Sequence, residues 1–156
     1  MTEKSLITEE MRAAIGKPLN SGGSFEVEKG TIRNMAEAMN YLNPLYLDEA
    51  YARSKGHSSV LAPPMLPTYD LQLSAPLEVL KFPFPVVAIL HGSDEWEFMA
   101  DVHAGDVLTP QGKIMNLTEK DGNRGKMLFI TSEITYTNQR GELVAVYRPT
   151  EIMIAG

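Results

Sequence analysis

From residue 86 onward the chain alternates polar and apolar residues in four long stretches, and no other feature limits the fold as much. Leu128, Ile130, Ser132, Ile134 and Tyr136 recur with a period of two, as do Val144, Val146, Arg148, Thr150 and Ile152. A period of two sends alternate side chains to opposite faces, so these are strands with one face buried. The strand-like stretches run Val86 to Met99, Val107 to Glu119, Lys126 to Thr137 and Glu142 to Ile154. They are separated by His103-Ala104-Gly105-Asp106, Asp121-Gly122-Asn123-Arg124-Gly125 and Asn138-Gln139-Arg140-Gly141. Turns this short join antiparallel neighbours, so the second half reads as a meander.

The first half changes period. Ile7 to Ile15 predicts a short helix stopped by Gly16, after which Pro18 and Ser21-Gly22-Gly23 turn the chain. Ser24 to Glu28 alternates as a strand. Ile32, Met35, Ala36 and Met39 then fall at i, i+3, i+4 and i+7, which is one buried helical face opening near Lys29-Gly30 or Thr31. Asp48 is placed to cap a short helix through Ala52, and Pro63-Pro64 opens another whose apolar face is Met65, Leu66, Tyr69 and Leu73. Helices gathered before an antiparallel sheet predict an α+β domain. No repeat, low-complexity tract or linker divides the 156 residues, so 1–156 reads as a single domain.

Composition removes several function classes. With no cysteine, thiolate nucleophiles, cysteine-ligated zinc and disulfides are excluded. The formal charge of −6 argues against nucleic acid or an anionic membrane as the main partner. The N-terminus lacks a basic stretch followed by an apolar run, and the longest apolar run, Phe82 to Leu90, is too short for a bilayer and carries Pro83 and Pro85. A cytoplasmic setting is the expectation.

The loop between the two predicted helices, Asn40 to Ala52, carries the most specific pattern. Tyr41, Asn43, Pro44, Leu45, Tyr46, Asp48 and Ala52 match the spacing of Asp-x-Asn-Pro-Leu-His-x-Asp followed by alanine, with tyrosine at the first and sixth positions. That framework resembles the hydratase motif of the MaoC-like, R-specific enoyl-thioester hydratase and dehydratase family. Val102-His103-Ala104-Gly105-Asp106 resembles the family's Gly-Asp turn, and Thr135 to Leu143 resembles its late hairpin. Leu61-Ala62-Pro63-Pro64-Met65 looks like the N-terminal, dehydratase-associated branch, which carries Ala-Pro-Pro where the active branch tends to carry His-Gly. The resemblance extends from about Ile7 to Ile154. It implies the hot-dog fold, a long central helix wrapped by a curved antiparallel sheet, and an acyl thioester of coenzyme A or acyl carrier protein as substrate, with no cofactor and no metal.

The family's chemistry makes the two tyrosines informative. Adding water to an enoyl thioester needs a base for the water, an acid for the α-carbon and donors for the carbonyl. The family's aspartate and histidine supply the first two. A phenol titrates near pH 10, far from the value that suits a base at neutral pH, so Tyr41 and Tyr46 are not expected to be catalytic. The resemblance instead implies an acyl site lined by Tyr41, Asn43, Tyr46, Pro63, Pro64 and Met65, with the reactive pair on another chain.

The remaining candidates have plainer readings. Asp48 and His57 are the fallback catalytic residues, although Asp48 is accounted for as a helix cap and His57, after Gly56, reads as a solvated surface residue. His91 precedes Gly92 at a strand bend, and His103 lies in a turn. Asp94, Glu95 and Glu97 around Trp96 read as a solvated strand edge. Met35, Met39, Met65 and Met99 read as core packing.

Three functions are carried forward. The first is a non-catalytic, acyl-binding subunit of a heteromeric enoyl-CoA hydratase or 3-hydroxyacyl-thioester dehydratase, partnered by a chain that bears the dyad. The second is a self-sufficient hydratase or thioesterase using Asp48, Glu49 or His57. The third is a homodimeric acyl-CoA-binding module. All three predict an oligomer, because a single sheet leaves an edge that needs covering.

Overall fold

A computed structural model of the chain describes residues 5–19, 23–69, 80–123 and 125–156. Thr8 accepts a hydrogen bond from Met11 N–H and starts helix α1, Glu9–Ala14, whose Met11 is buried. Two short strands follow, β1 at Pro18–Leu19 and β2 at Phe25–Glu26. Pro18, expected in a turn, therefore begins a strand, and the strand expected over Ser24 to Glu28 keeps two residues. Both short strands pair antiparallel with one longer strand.

Helix α2, Lys29–Ala38, is the central helix and buries Ile32 and Ala36. It has ten residues, so the long helix implied by the resemblance amounts to about three turns. Asn40 adopts φ 54°, in the left-handed region, and the chain leaves the helix before Met39 can join the buried face. Met39 is 39% exposed. Helices α3, Pro44–Leu47, and α4, Glu49–Ser54, complete the first half. The helix expected from Pro63 is a single 3₁₀ turn at Leu66–Tyr69. Pro67 lacks the N–H that an α-helix would need there, and Leu73 lies outside the described residues.

The long strands are β3, Val86–Phe98; β4, Val107–Gly122; β5, Gly125–Thr137; and β6, Leu143–Ala155; β4, β5 and β6 form the expected meander, but β3 lies beside β6 and not β4, so the turn at His103–Asp106 does not join neighbouring strands. Strand order is β1-β4-β5-β6-β3, with β2 also on β4, and every pairing is antiparallel. The β4–β5 hairpin closes at Gly122 opposite Gly125. Gly125 has φ +119°, and a Cβ there would stand 2.7 Å from the Ala155 carbonyl oxygen. Register shifts at His91/Ser93 and Ile114/Asn116 mark bulges, which bend and twist the strands that carry them. Gly92 sits in the first, where a Cβ would meet the Thr150 carbonyl oxygen at 2.8 Å.

Two apolar clusters lie between helices and sheet. Val27, Ile32, Leu66, Leu108, Ile134, Tyr136 and Val144 form the one under α2. Met11, Leu19, Ile114, Leu128, Ile130 and Met153 form the one under α1. Among the described elements β3 pairs on one side only, with β6. Val87, Ile89, Leu90 and Phe98 are exposed along it. No helix among the described residues is long and apolar enough to cross a membrane.

Candidate functional site

The Asn-Pro loop keeps its shape through backbone capping. Asn43 Oδ1 accepts from Leu45 N–H at 3.0 Å, and Pro44 fixes the first helical φ of α3. Asp48 ends α3 and begins α4, and its Oδ1 accepts from Tyr51 N–H at 3.0 Å. The carboxylate named as a fallback base is therefore spent on a cap. Tyr41 N–H donates to the Ala36 carbonyl at 2.7 Å while its side chain is 48% exposed. Tyr46 is half-buried against the cluster under α2.

The residues expected to line an acyl site fall into separate places. Pro63 and Pro64, with Ala62, Pro67, Phe98, Met99, Asp101, Val102 and Ala145, line a cavity of about 400 Å³. Tyr46 lines a smaller one of about 180 Å³ with Lys29, Gly30, Arg33, Glu49 and Val60. Tyr41, Asn43 and Met65 line neither of these two cavities. At the smaller cavity Glu49 is paired with Lys29 and, at 2.8 Å, with Arg53. Hydrogen bonds from those two cations hold its pKa below the ordinary carboxylate value.

His57 is not a free surface residue. Its Nδ1 lies 3.2 Å from His103 Nε2, so one ring nitrogen donates and the other accepts. His103 is anchored in turn: its backbone N–H donates to Asp106 Oδ2 at 2.9 Å. Asp106 is buried and also accepts from Gln139 Nε2 at 2.8 Å and Arg140 Nη1 at 3.2 Å. Burial pushes its pKa up, but these bonds and the Arg140 charge outweigh it and leave the carboxyl below its ordinary value. Leu61 N–H donates to the Leu45 carbonyl and Ala62 N–H to the Val102 carbonyl, at 2.9 and 2.8 Å. The Asn-Pro loop, the Ala-Pro-Pro segment and the Gly-Asp turn are thus tied into one frame around the larger cavity.

The acidic cluster on β3 divides by face. Glu95 and Glu97 point away from the helices and pair with Arg148, which also bonds Glu133 at 2.8 Å. Asp94 points the other way. It accepts from Tyr147 Oη at 2.5 Å and lies 2.8 Å from His91 Nε2. Burial raises the Asp94 pKa, yet the bonds from Tyr147 and His91 bring it below the ordinary value. Reading three acids within four residues as one solvated edge missed the split. The period of two that assigned the strand already contained it, since Asp94 and Glu95 must face opposite ways.

Among the described residues no group of three or more histidine, aspartate or glutamate side chains is arranged to hold a metal ion. Chemically, the loop at Asn40 to Ala52 offers packing, phenol hydroxyls and helix caps.

Comparison with known proteins agrees with this geometry. A family model described as FAS1-like, dehydratase domain region, matches residues 13–147. A UPF0336 protein of Thermobifida fusca is 30% identical over 129 residues, covering 81% of this chain and 83% of that protein. A protein of Thermomonospora curvata named as a probable enoyl-CoA hydratase alpha subunit is 30% identical over 155 residues. That match covers 88% of this chain and 49% of the relative, so the chain spans about half of its length. A solved MaoC-like dehydratase superposes with a TM-score of 0.76 at 22% identity, covering 93% of this chain and 43% of that one. Likeness at that identity concerns the fold.

Proposed function

The chain belongs to the FAS1-like dehydratase-region family, hot-dog proteins of the MaoC type, and from that premise we propose that it is the non-catalytic, acyl-binding subunit of a heteromeric enoyl-CoA hydratase or 3-hydroxyacyl-thioester dehydratase. The observation that carries the reading is a loop whose caps at Asn43 and Asp48 are intact while tyrosines stand at the two reactive positions. Asp48 and His57, the nearest substitutes, are engaged by Tyr51 N–H and His103. With tyrosines at the two reactive positions and Asp48 engaged as a cap, the loop supports a reading in which another chain supplies the hydration chemistry.

Two further features support a partnered subunit. Among the described elements the outer side of β3 has no strand partner, and Val87, Ile89 and Leu90 are exposed along it, a surface that a strand of another hot-dog chain can cover. The Thermomonospora curvata relative is named as an alpha subunit, a designation that goes with a second kind of chain. In this reading the acyl group occupies the larger cavity against Pro63 and Pro64, and Tyr46 supports the loop from below. Tyr41, Asn43 and Met65 are assigned to the rim that the partner completes.

The test is hydration of crotonyl-CoA and of a longer enoyl-CoA, followed at the thioester enone absorbance, with the protein alone and then co-expressed with a dyad-bearing hydratase chain. Turnover in the mixture and none with the protein alone is the expected result. Robust turnover by the purified protein would instead favour a self-sufficient enzyme.

A further inference from the structure

The larger cavity has an apolar floor and a charged group at its mouth. Ala62, Val102, Val144 and Ala145 form the floor, each 9% exposed or less. Phe98, Met99 and Asp101 line it from exposed positions and so mark the mouth. Asp101 is the only titratable residue on the lining, which holds no lysine, arginine or histidine. Among the described residues no hydrogen bond or ion pair reaches the Asp101 carboxylate. Small-molecule pockets are mostly apolar and owe their selectivity to a few placed polar groups, and here there is one.

The chain fixes Asp101 in that position from both sides. Met99 N–H and Ala100 N–H donate to the Val144 carbonyl at 2.9 and 3.4 Å. The Val102 carbonyl accepts from Ala62 N–H at 2.8 Å. Asp101 therefore stands between a neighbour tied to β6 and a neighbour tied to the Ala-Pro-Pro segment, and residues of both elements line the cavity.

This placement bears on the head of an acyl ligand and not on its tail. A fatty acid and a thioester of the same acid share an alkyl chain, which the floor takes equally. A free carboxylate cannot follow its chain onto the buried floor, because nothing there replaces its hydration. It stops at the mouth, beside a second carboxylate and with no cation on the lining to offset the two. At about 5 Å, in surroundings between bulk water and a protein surface, that repulsion is worth about tenfold in affinity. A thioester head is uncharged. The phosphates of a coenzyme A arm lie beyond the mouth by more than the Debye length of about 8 Å, where salt screens them.

We propose that Asp101 is the specificity-determining residue of this cavity, selecting acyl thioesters over the free acids of the same chain length. Free acid present beside the thioester then competes poorly for the site. This inference rests on the acyl-binding reading above and names the substrate class that the cavity admits.

Trp96 is the only tryptophan and stacks on Phe98 with ring centroids 5.7 Å apart, so its fluorescence reports a ligand at the mouth. The full-length chain is titrated at pH 7 with S-octanoyl-N-acetylcysteamine, an uncharged thioester, and with octanoate, and calorimetry repeats both titrations. The proteins are the wild type, Asp101→Asn and Glu10→Gln, each checked for folding by circular dichroism. Asp101→Asn removes the charge at the mouth and keeps the side-chain size. Glu10→Gln changes the net charge equally from helix α1, away from the lining of this cavity. The expected result is that the wild type and Glu10→Gln bind the thioester about tenfold more tightly than octanoate. In Asp101→Asn the ratio should fall to about threefold or less, through tighter binding of octanoate. Equal affinity of the wild type for the two ligands overturns the inference and leaves the acyl-binding reading standing. A ratio that survives in Asp101→Asn, or that falls as far in Glu10→Gln, overturns it as well. Failure of both ligands to bind the wild type removes the acyl-binding reading and the inference with it.

Discussion

Replacing Asp106 with alanine should destabilise the chain more than most single changes outside the apolar core. The carboxylate is 5% exposed and accepts from His103 N–H, Gln139 Nε2 and Arg140 Nη1. The last two donors are on exposed residues and recover water when the acceptor is lost, so they add little. The His103 N–H is part-buried and recovers less. Losing a hydrogen bond to a charged acceptor, with a small void left behind, costs about 2–3 kcal/mol. For a chain of this size that lowers Tm by about 4–12 °C.

The pH dependence follows from the depressed pKa of Asp106 in the folded chain. A carboxyl whose pKa is lowered by folding stabilises above its unfolded value, near 3.9, and that stabilisation is lost as pH falls through the folded value. The difference in Tm between wild type and Asp106→Ala should therefore be full at pH 7 and shrink below about pH 4. Scanning calorimetry of the two proteins across pH measures it. A difference under about 1 °C at pH 7, or one that does not narrow in acid, would refute the reasoning.

Other substitutions test other parts. Asn43→Ala removes the cap on Leu45 N–H and should cost about 1 kcal/mol by urea unfolding, with the fold intact. Gly125→Ala forces a Cβ toward the Ala155 carbonyl at an unfavourable φ and should cost about 1–3 kcal/mol, visible in the same assay. Arg148→Met leaves Glu95, Glu97 and Glu133 facing one another, so its Tm should fall at low ionic strength and recover in part when salt is added. Val87→Lys, exposed on β3, should weaken association with a hydratase partner by about tenfold in sedimentation experiments, without altering the circular dichroism of the isolated chain.

What the sequence disclosed tracks how local each cause is. The long strands were legible because alternation is set by neighbours two residues apart, and the turns at Gly105 and Gly141 because both glycines take positive φ. The Asp48 cap was legible for the same reason, since its side chain bonds within three residues of itself. The 3₁₀ turn at Leu66–Tyr69 was misread because an apolar spacing outweighed the missing N–H of Pro67. The contact between His57 and His103 spans 46 residues and that between Asp94 and Tyr147 spans 53, so no local pattern could announce either. Met39 was counted into the buried face because nothing in the spacing signals that Asn40 turns the helix off.

The central claim is that this chain supplies a pocket and another chain supplies the chemistry. Its most direct test is the enoyl-CoA hydration rate of a fixed amount of dyad-bearing partner titrated with this protein. The account predicts no turnover without the partner, a rise as the chain is added, and a break at one chain per partner. Turnover by this chain with no partner present, or a partner rate that its addition leaves unchanged, would contradict it.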